Sequence, residues 1–175
     1  MGSTTAFTGR FTLDRKLEPQ HDRYLRAFNN TRHIRRDATT AEMFADPTRE
    51  SADLPIGEEG GYYVGDAGHS SGQCRNLGDL SILDYNVPPA GQPGLWCRWK
   101  PTKDSAGVQW DGNEKFYYHV EWLEYLILHF LKPWGYQLSG EVTWTGEKHG
   151  DFGLIRIVNN SPVKLPPQWT KEAQT

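Results

Sequence analysis

The feature that most constrains this chain is an amphipathic helix predicted over residues 113–132. Apolar residues recur there at intervals of four, three, four and three positions, which places their side chains on one helical face. These residues are Phe116, Val120, Leu123, Ile127 and Phe130. Asn113 is the predicted N-cap, and Pro133 and Gly135 end the helix. Because the last turns are apolar almost all round, we expect this helix to lie deep in a core.

A β-hairpin is predicted directly after this helix. Residues 136–145 alternate between apolar and polar side chains, and Leu154 to Val158 form the return strand. Gly140 interrupts the alternation, which is typical of a β-bulge, and residues 146–150 make the turn.

The first half of the chain predicts one strand, one helix and several short strands. Alternation over Phe7–Leu13 indicates a strand, and Pro19–Arg32 has helical spacing with Tyr24, Leu25 and Phe28 on its buried face. Residues 33–60 are irregular. The short strands are predicted at Ser81–Tyr85, Gly94–Trp99 and Val108–Trp110.

The element order is β-α-(short β strands)-α-β-β, which predicts an α+β fold. We expect an antiparallel sheet with two main helices packed on one face. Strands and helices do not alternate regularly, so a parallel α/β fold is excluded. The prediction is one domain over residues 1–175, with a loose N-terminus (1–6) and an extended Pro-rich C-terminal tail (160–175).

Composition favours a folded cytoplasmic protein. Aromatic residues make up 13% of the chain, whereas disordered chains are poor in them. The two cysteines, Cys74 and Cys97, form no disulfide framework or zinc motif, and no apolar run reaches the roughly 20 residues of a membrane span. The expected location is the cytoplasm of a bacterial cell or of a phage-infected host. Seven Trp residues predict a leftover apolar surface that would suit a homo-oligomer.

Several blocks of the sequence form a specific pattern. They read Gly-Leu-Trp-Cys at 94–97, Trp-Asp-Gly-Asn-Glu-Lys-Phe-Tyr at 110–117, Leu-Lys-Pro-Trp-Gly-Tyr at 131–136 and Gly-Glu-Val-Thr-Trp-Thr-Gly-Glu at 140–147. With residues 31–37, they resemble a family of small uncharacterised proteins of bacteria and their phages. The resemblance covers over half of the chain and implies a bacterial or phage setting, but no activity. Similar proteins carry acidic residues after the Gly-Glu of the hairpin turn, where this chain has Lys148 and His149.

An arginine cluster is the first candidate binding site. It comprises Arg32, His33, Arg35 and Arg36, in an N-terminal stretch (1–36) with a net charge of +5 against -8 for the remainder. Arginine matches phosphate oxygens bidentately, so the cluster predicts a phosphate or nucleotide ligand. Arginine is also common at helix C-termini, where it satisfies the last carbonyls, so a structural role stays open.

The segment Trp96–Lys100 is the second candidate. Strand alternation places Trp96 and Arg98 on one face, where they can stack a base and hold its phosphate, and Cys97 and Trp99 on the other. In the alternative interpretation, Trp99 belongs to the core and Trp96 covers a helix.

Three carboxylates, Glu141, Glu147 and Asp151, form the third candidate. Together around one turn they could bind a hard cation or perform acid–base chemistry, although turns favour polar residues in any case. The two histidines of the long helix, His119 and His129, lie ten positions apart and do not have zinc-site spacing. No metal and no cofactor are expected.

No catalytic or nucleotide-binding motif is present: there is no P-loop lysine after the glycines of 57–72, no G-x-S-x-G and no deaminase signature. The sequence therefore favours a non-enzymatic binding protein. We expect it to capture a host molecule in an anti-defence or host-takeover role, either a phosphate-bearing ligand such as a signalling nucleotide or a host protein. The alternative is a small metal-dependent hydrolase or nuclease using the three carboxylates. Direct nucleic-acid binding is disfavoured by the acidic body.

Overall fold

The computed structural model describes residues 4–65 and 80–165. The chain folds into two compact units. The first unit comprises Met1–Lys16 and Arg98–Thr175, and the second comprises Leu17–Cys97. The predicted α+β class is confirmed, with an antiparallel sheet and short helices. The prediction of a single domain stays a prediction.

Nine strands and four α-helices are described. The strands are β1 (Ala6–Thr8), β2 (Phe11–Leu13), β3 (Arg35–Arg36), β4 (Ile82–Asp84), β5 (Trp99–Pro101), β6 (Gly107–Trp110), β7 (Leu138–Thr145), β8 (Phe152–Val158) and β9 (Ser161–Leu165). The helices are α1 (Pro19–Asn29), α2 (Ala38–Ala41), α3 (Pro47–Ser51) and α4 (His119–Leu126), with a 3-10 turn at Glu58–Gly60 and a π-helical turn at Ile127–Leu131.

The first unit contains one antiparallel sheet in the order β5-β6-β2-β7-β8-β9, and β1 also pairs with β7. Phe7 pairs with Trp144 and Phe11 with Gly140, so β1 and β2 follow a single register along β7. The predicted Phe7–Leu13 strand is therefore confirmed, with a break between its two halves.

Helix α4 begins later than predicted. Lys115 and Tyr118 adopt left-handed backbone angles, with φ of 60° and 58°, which an α-helix cannot continue through. The predicted N-cap at Asn113 is wrong, because α4 begins at His119 and the Asn113 carbonyl instead accepts a hydrogen bond of 3.0 Å from Trp110 Nε1 at the end of β6. The helix continues into the π-helical turn, where the Lys132 N–H donates to the Ile127 carbonyl at 2.8 Å.

The core of the first unit confirms the predicted helix face. All five apolar residues of the 4-3-4-3 pattern are buried, and four of them lie in the helical stretch, whereas Phe116 precedes α4; Leu123 and Phe130 are 0% exposed. Side chains of the sheet are buried as well, including the paired Val142 of β7 and Ile155 of β8. The Phe7 ring packs against the Trp99 ring of β5, with 5.2 Å between their centroids. These contacts bury the apolar face that alternation and helical spacing had predicted.

The predicted hairpin is confirmed as β7 and β8, but it is followed by a further strand. Gly140 pairs in register with Ile157, so the predicted bulge is wrong. Asn159 and Asn160 have φ of 47° and 69°, which is a type I′ turn, and they connect β8 to β9. The predicted extended tail thus begins with a strand, and residues 166–175 lie outside the described residues.

The second unit is built around α1. The helix is three residues shorter than predicted, and its predicted face of Tyr24, Leu25 and Phe28 is buried. Tyr24 donates from its hydroxyl to the Tyr62 carbonyl at 2.7 Å. Strands β3 and β4 form a separate two-stranded sheet, which confirms the strand predicted at Ser81–Tyr85.

Candidate functional site

The arginine cluster lies where α1 ends and the chain turns into β3. Thr31 Oγ1 donates to the Ala27 carbonyl at 2.6 Å and satisfies one of the carbonyls left open at the end of the helix. The His33 N–H then donates to the Leu95 carbonyl at 2.7 Å. The backbone of the cluster is therefore anchored on both sides.

His33 points into the interior. His33 is only 2% exposed, and its Nε2 donates to the Phe28 carbonyl at 3.0 Å. The imidazole also packs on the Phe28 ring, with 4.1 Å between centroids. Burial lowers the pKa of His33 to about 3, and the charge of Arg36 contributes in the same direction. The ring is neutral at physiological pH and supports the fold.

Arg36 is also buried, at 2% exposed. Its guanidinium stacks over the Tyr63 ring at 4.2 Å, and Nη1 donates to Ser81 Oγ at 2.8 Å. Gly60, at φ +74°, passes so close that a Cβ there would lie 2.9 Å from the Arg36 Cβ. Glycine at this position is thus required both by backbone angle and by the approach of Arg36.

Arg32 and Arg35 are the surface half of the cluster. Arg32 is half-buried, stacks over the Tyr85 ring at 4.3 Å and donates to the Tyr85 carbonyl at 3.3 Å. Arg35 has a side chain that is 49% exposed and donates from Nε to Glu59 Oε2 at 2.5 Å. Its own N–H donates to the Val87 carbonyl. The Arg32 side chain and the Arg35 backbone therefore both contact the segment 84–87, while the Arg35 guanidinium is bonded to Glu59.

Sequence reasoning missed a buried ion pair in this unit. Arg49 Nε donates to Asp46 Oδ2 at 2.6 Å, and the two side chains are 6% and 0% exposed. Arg49 also donates to the Leu54 carbonyl at 2.7 Å, and the Val64 N–H donates to Asp46. Burial raises the pKa of Asp46, while its bond to Arg49 opposes that shift. The signal was Asp46 directly before the Pro47 that starts α3, with Arg49 three positions on.

Trp96 and Arg98 fall in different units, Trp96 in the second and Arg98 in the first. Both are half-buried, whereas Cys97 and Trp99 are 0% and 1% exposed. The predicted alternation is thus confirmed, although strand β5 begins only at Trp99. Trp99 belongs to the core and donates from Nε1 to the His119 carbonyl at 2.8 Å.

The structure does not gather the three carboxylates at one turn. Glu141 lies in mid-strand opposite Arg156, whose Nε donates to it at 2.8 Å. Four further residues of β7, about 13 Å of extended chain, lie between Glu141 and the turn that carries Glu147. Glu147 accepts from the Thr4 N–H at 2.8 Å, which lowers the pKa of its carboxyl. Only Glu147 and Asp151 share the hairpin turn. The predicted cation or acid–base site therefore lacks Glu141 as its third carboxylate.

The two helix histidines are packing residues. His119 lies among rings, with its centroid 5.0 Å from that of Phe7 and 6.1 Å from that of Trp144. Burial, aided by the charge of Lys164, lowers the pKa of His119 to about 4. His129 stacks on Tyr125 at 3.9 Å, and burial lowers its pKa too.

Within residues 4–65 and 80–165, no group of three or more His, Cys, Asp or Glu is arranged to hold a metal ion. The same residues include no helix with the length and apolarity needed to cross a membrane. No protein-family model, curated protein or solved structure matches this chain.

Proposed function

We propose that this protein is a non-enzymatic binding protein that captures a phosphate-bearing small molecule, such as a signalling nucleotide, through Arg32 and Arg35. In the same proposal, it is phage-encoded or prophage-derived and acts against host defence. The resemblance to proteins of bacteria and their phages supports that setting. The observation that carries the binding role is the division of the arginine cluster into a buried half and a surface half.

The buried half supplies rigidity. His33 and Arg36 are both 2% exposed and hold the Phe28 carbonyl and Ser81 Oγ from within. Because these side chains are held, the backbone from Arg32 to Arg36 is fixed, and Arg32 and Arg35 are further held by Tyr85 and Glu59 before a ligand arrives. Preorganisation of this kind lowers the entropy lost on binding.

The surface half supplies the charge. The Arg35–Glu59 pair is partly exposed, with side chains that are 49% and 25% exposed, and surface pairs are worth about 0–1 kcal/mol because water screens them and both side chains lose freedom. A phosphate group carries more charge than a carboxylate and offers three acceptor oxygens, so it competes well for the guanidinium. Arg32 lies over Tyr85 and offers the other face of its planar guanidinium to a base.

Isothermal titration calorimetry against a panel of mono-, di- and cyclic nucleotides tests the proposal. We expect binding of at least one nucleotide, weakened about 100-fold in Arg32→Ala/Arg35→Ala, because two charge-assisted contacts are lost. The matched control is Arg10→Ala/Arg156→Ala, which also removes two paired surface arginines and should bind as the unchanged protein does. No heat with any nucleotide, or equal losses in both double variants, would exclude the proposal.

A host protein is the second candidate ligand, and one observation favours it. Leu83 and Val87 are 59% and 39% exposed; Leu83 lies in β4, which pairs with the strand of Arg35, and the Val87 carbonyl accepts from the Arg35 N–H. An apolar patch next to arginine is the composition of protein-binding hot spots. Capture of one defined host protein, lost in Leu83→Asp and retained in Val163→Asp, would support this ligand over a nucleotide. Val163 lies in the first unit and is 50% exposed, against 59% for Leu83.

A further inference from the structure

A groove of about 450 Å³ lies in the first unit, beside the end of the long helix. One wall carries Glu124, Leu128 and Lys132, and the other carries Asn159 and Pro162 of the β8–β9 connection. The helical wall is formed by the last turn of α4 and the π-helical turn at Ile127–Leu131. This groove is separate from the arginines of the proposed ligand site, which belong to the second unit.

The helical wall exposes an apolar side chain between two opposite charges. Leu128 is 64% exposed, although the neighbouring Ile127 is buried at 4%. Glu124 and Lys132 lie four positions before and after Leu128 and are both exposed. Within residues 4–65 and 80–165, neither charged side chain forms an ion pair or a hydrogen bond. The stripe therefore has an apolar centre and two charged ends without a protein partner among the described residues, about 12 Å apart along the helix.

This stripe is complementary to itself. A two-fold axis through Leu128 and perpendicular to the helix would place Glu124 of one copy opposite Lys132 of the other, and the reverse. It would also bring the two Leu128 side chains together over the grooves. Each copy would thus provide an apolar contact for the Leu128 of the other and an oppositely charged partner for its Glu124 and Lys132.

We propose that this protein forms a two-fold symmetric homodimer through the groove, with antiparallel helices and Leu128 at the centre. The exposed Leu128 side chain of each copy is withdrawn from water against the groove of the other, which Pro162 also lines. Two Glu124–Lys132 pairs fix the antiparallel direction, because a parallel pairing would place like charges together.

Sedimentation velocity over a concentration series tests the dimer. Glu124→Lys alone and Lys132→Glu alone each create two like-charge contacts across the axis, so each should raise the dissociation constant about tenfold or more. The double exchange Glu124→Lys/Lys132→Glu restores opposite charges across the axis and should return the dissociation constant to within about threefold of the original.

The control is Glu121→Lys, which makes the same charge change at an exposed position of α4 outside the groove and should leave the dimer intact. Leu128→Arg should give monomers, with an unchanged circular dichroism spectrum because the residue is exposed. A protein that is monomeric at about 1 mM, or a dimer that either single reversal leaves unchanged, would overturn the proposal. So would a double exchange that dissociates as the single variants do.

Discussion

The two units of this protein are stabilised by different kinds of contact. The first unit buries an almost entirely apolar face, with Leu123, Phe130 and Val142 all 0% exposed. The second unit also has apolar residues, but it buries charged or polar side chains beside them, including His33, Arg36 and Arg49. Apolar burial tolerates small shifts in position, whereas buried polar groups need partners at defined distances. We therefore expect the second unit to be more sensitive to pH and to polar substitutions.

Cavity formation should give the largest effect on the first unit. Phe130→Ala removes a 0% exposed ring that packs on Tyr125 at 5.9 Å and on Trp134 at 5.7 Å. We expect a loss of about 3–5 kcal/mol in the free energy of unfolding, measured by urea denaturation. Tyr117→Ala is the control, because this ring is 48% exposed and should cost less than about 1 kcal/mol. Equal losses would mean that Phe130 is not a core residue.

Removing one partner of the buried ion pair should have a comparable effect on the second unit. Arg49→Ala leaves the Asp46 carboxylate buried without its cation, at a cost of about 3–5 kcal/mol. The same change in the first unit, Arg156→Ala, breaks an exposed pair with Glu141 and should cost less than about 1 kcal/mol. Urea denaturation of both variants compares the pairs directly. Similar losses in the free energy of unfolding would mean that the second unit does not depend more on its ion pair than the first unit does.

Acid should destabilise the second unit through His33. Its pKa is about 3 when folded and near 6.5 when unfolded, so the unfolded state binds the proton more tightly between these values. The contribution of this group is complete above pH 6.5 and is lost as the pH falls toward 3, by at most about 1.4 kcal/mol per pH unit.

His33→Gln keeps an amide N–H for the Phe28 carbonyl but does not titrate in this range. Urea denaturation between pH 7 and 4 should therefore show a shallower loss for the variant. His119 titrates in both proteins, with a folded pKa of about 4, and contributes the same slope to both profiles. Identical pH profiles would show that His33 is not buried in its neutral form.

The smallest effect concerns the close approach of Gly60 to Arg36. Gly60→Ala introduces a Cβ at 2.9 Å from the Arg36 Cβ, in addition to the strain of φ +74°. We expect a loss of about 1–3 kcal/mol. Gly91→Ala has a similar φ of +83° but meets no atom within 4 Å, so it measures the backbone strain alone. If the two variants lose equal stability by thermal denaturation, Arg36 does not restrict this position.

Much of the first unit was predictable because its elements are long and regular. The 4-3-4-3 spacing identified the buried helix face, and alternation identified β7, β8 and the combined β1–β2 strand. The start of α4 was not predictable, because the left-handed angles at Lys115 and Tyr118 depend on their surroundings and carry no glycine signal. Strand β9 was missed because Pro162 argues against a strand, and only pairing with β8 at the sheet edge accommodates it.

The candidate site was predictable in composition but not in arrangement. The sequence identified four residues, Arg32, His33, Arg35 and Arg36, without separating them. Tertiary structure decided that His33 and Arg36 are buried, because the Phe28 carbonyl and the Tyr63 ring offset the cost of removing them from water.

What the sequence by itself determined is the set of faces that must avoid water, since hydrophobic periodicity is a local property of the chain. The tertiary structure alone decided which charges meet a partner. Arg36 and Ser81 are 45 positions apart, and Glu141 and Arg156 are brought together only by the register of β7 and β8. Apolar burial is non-directional and can be read from a pattern, whereas a hydrogen bond or an ion pair requires two groups at one distance and orientation.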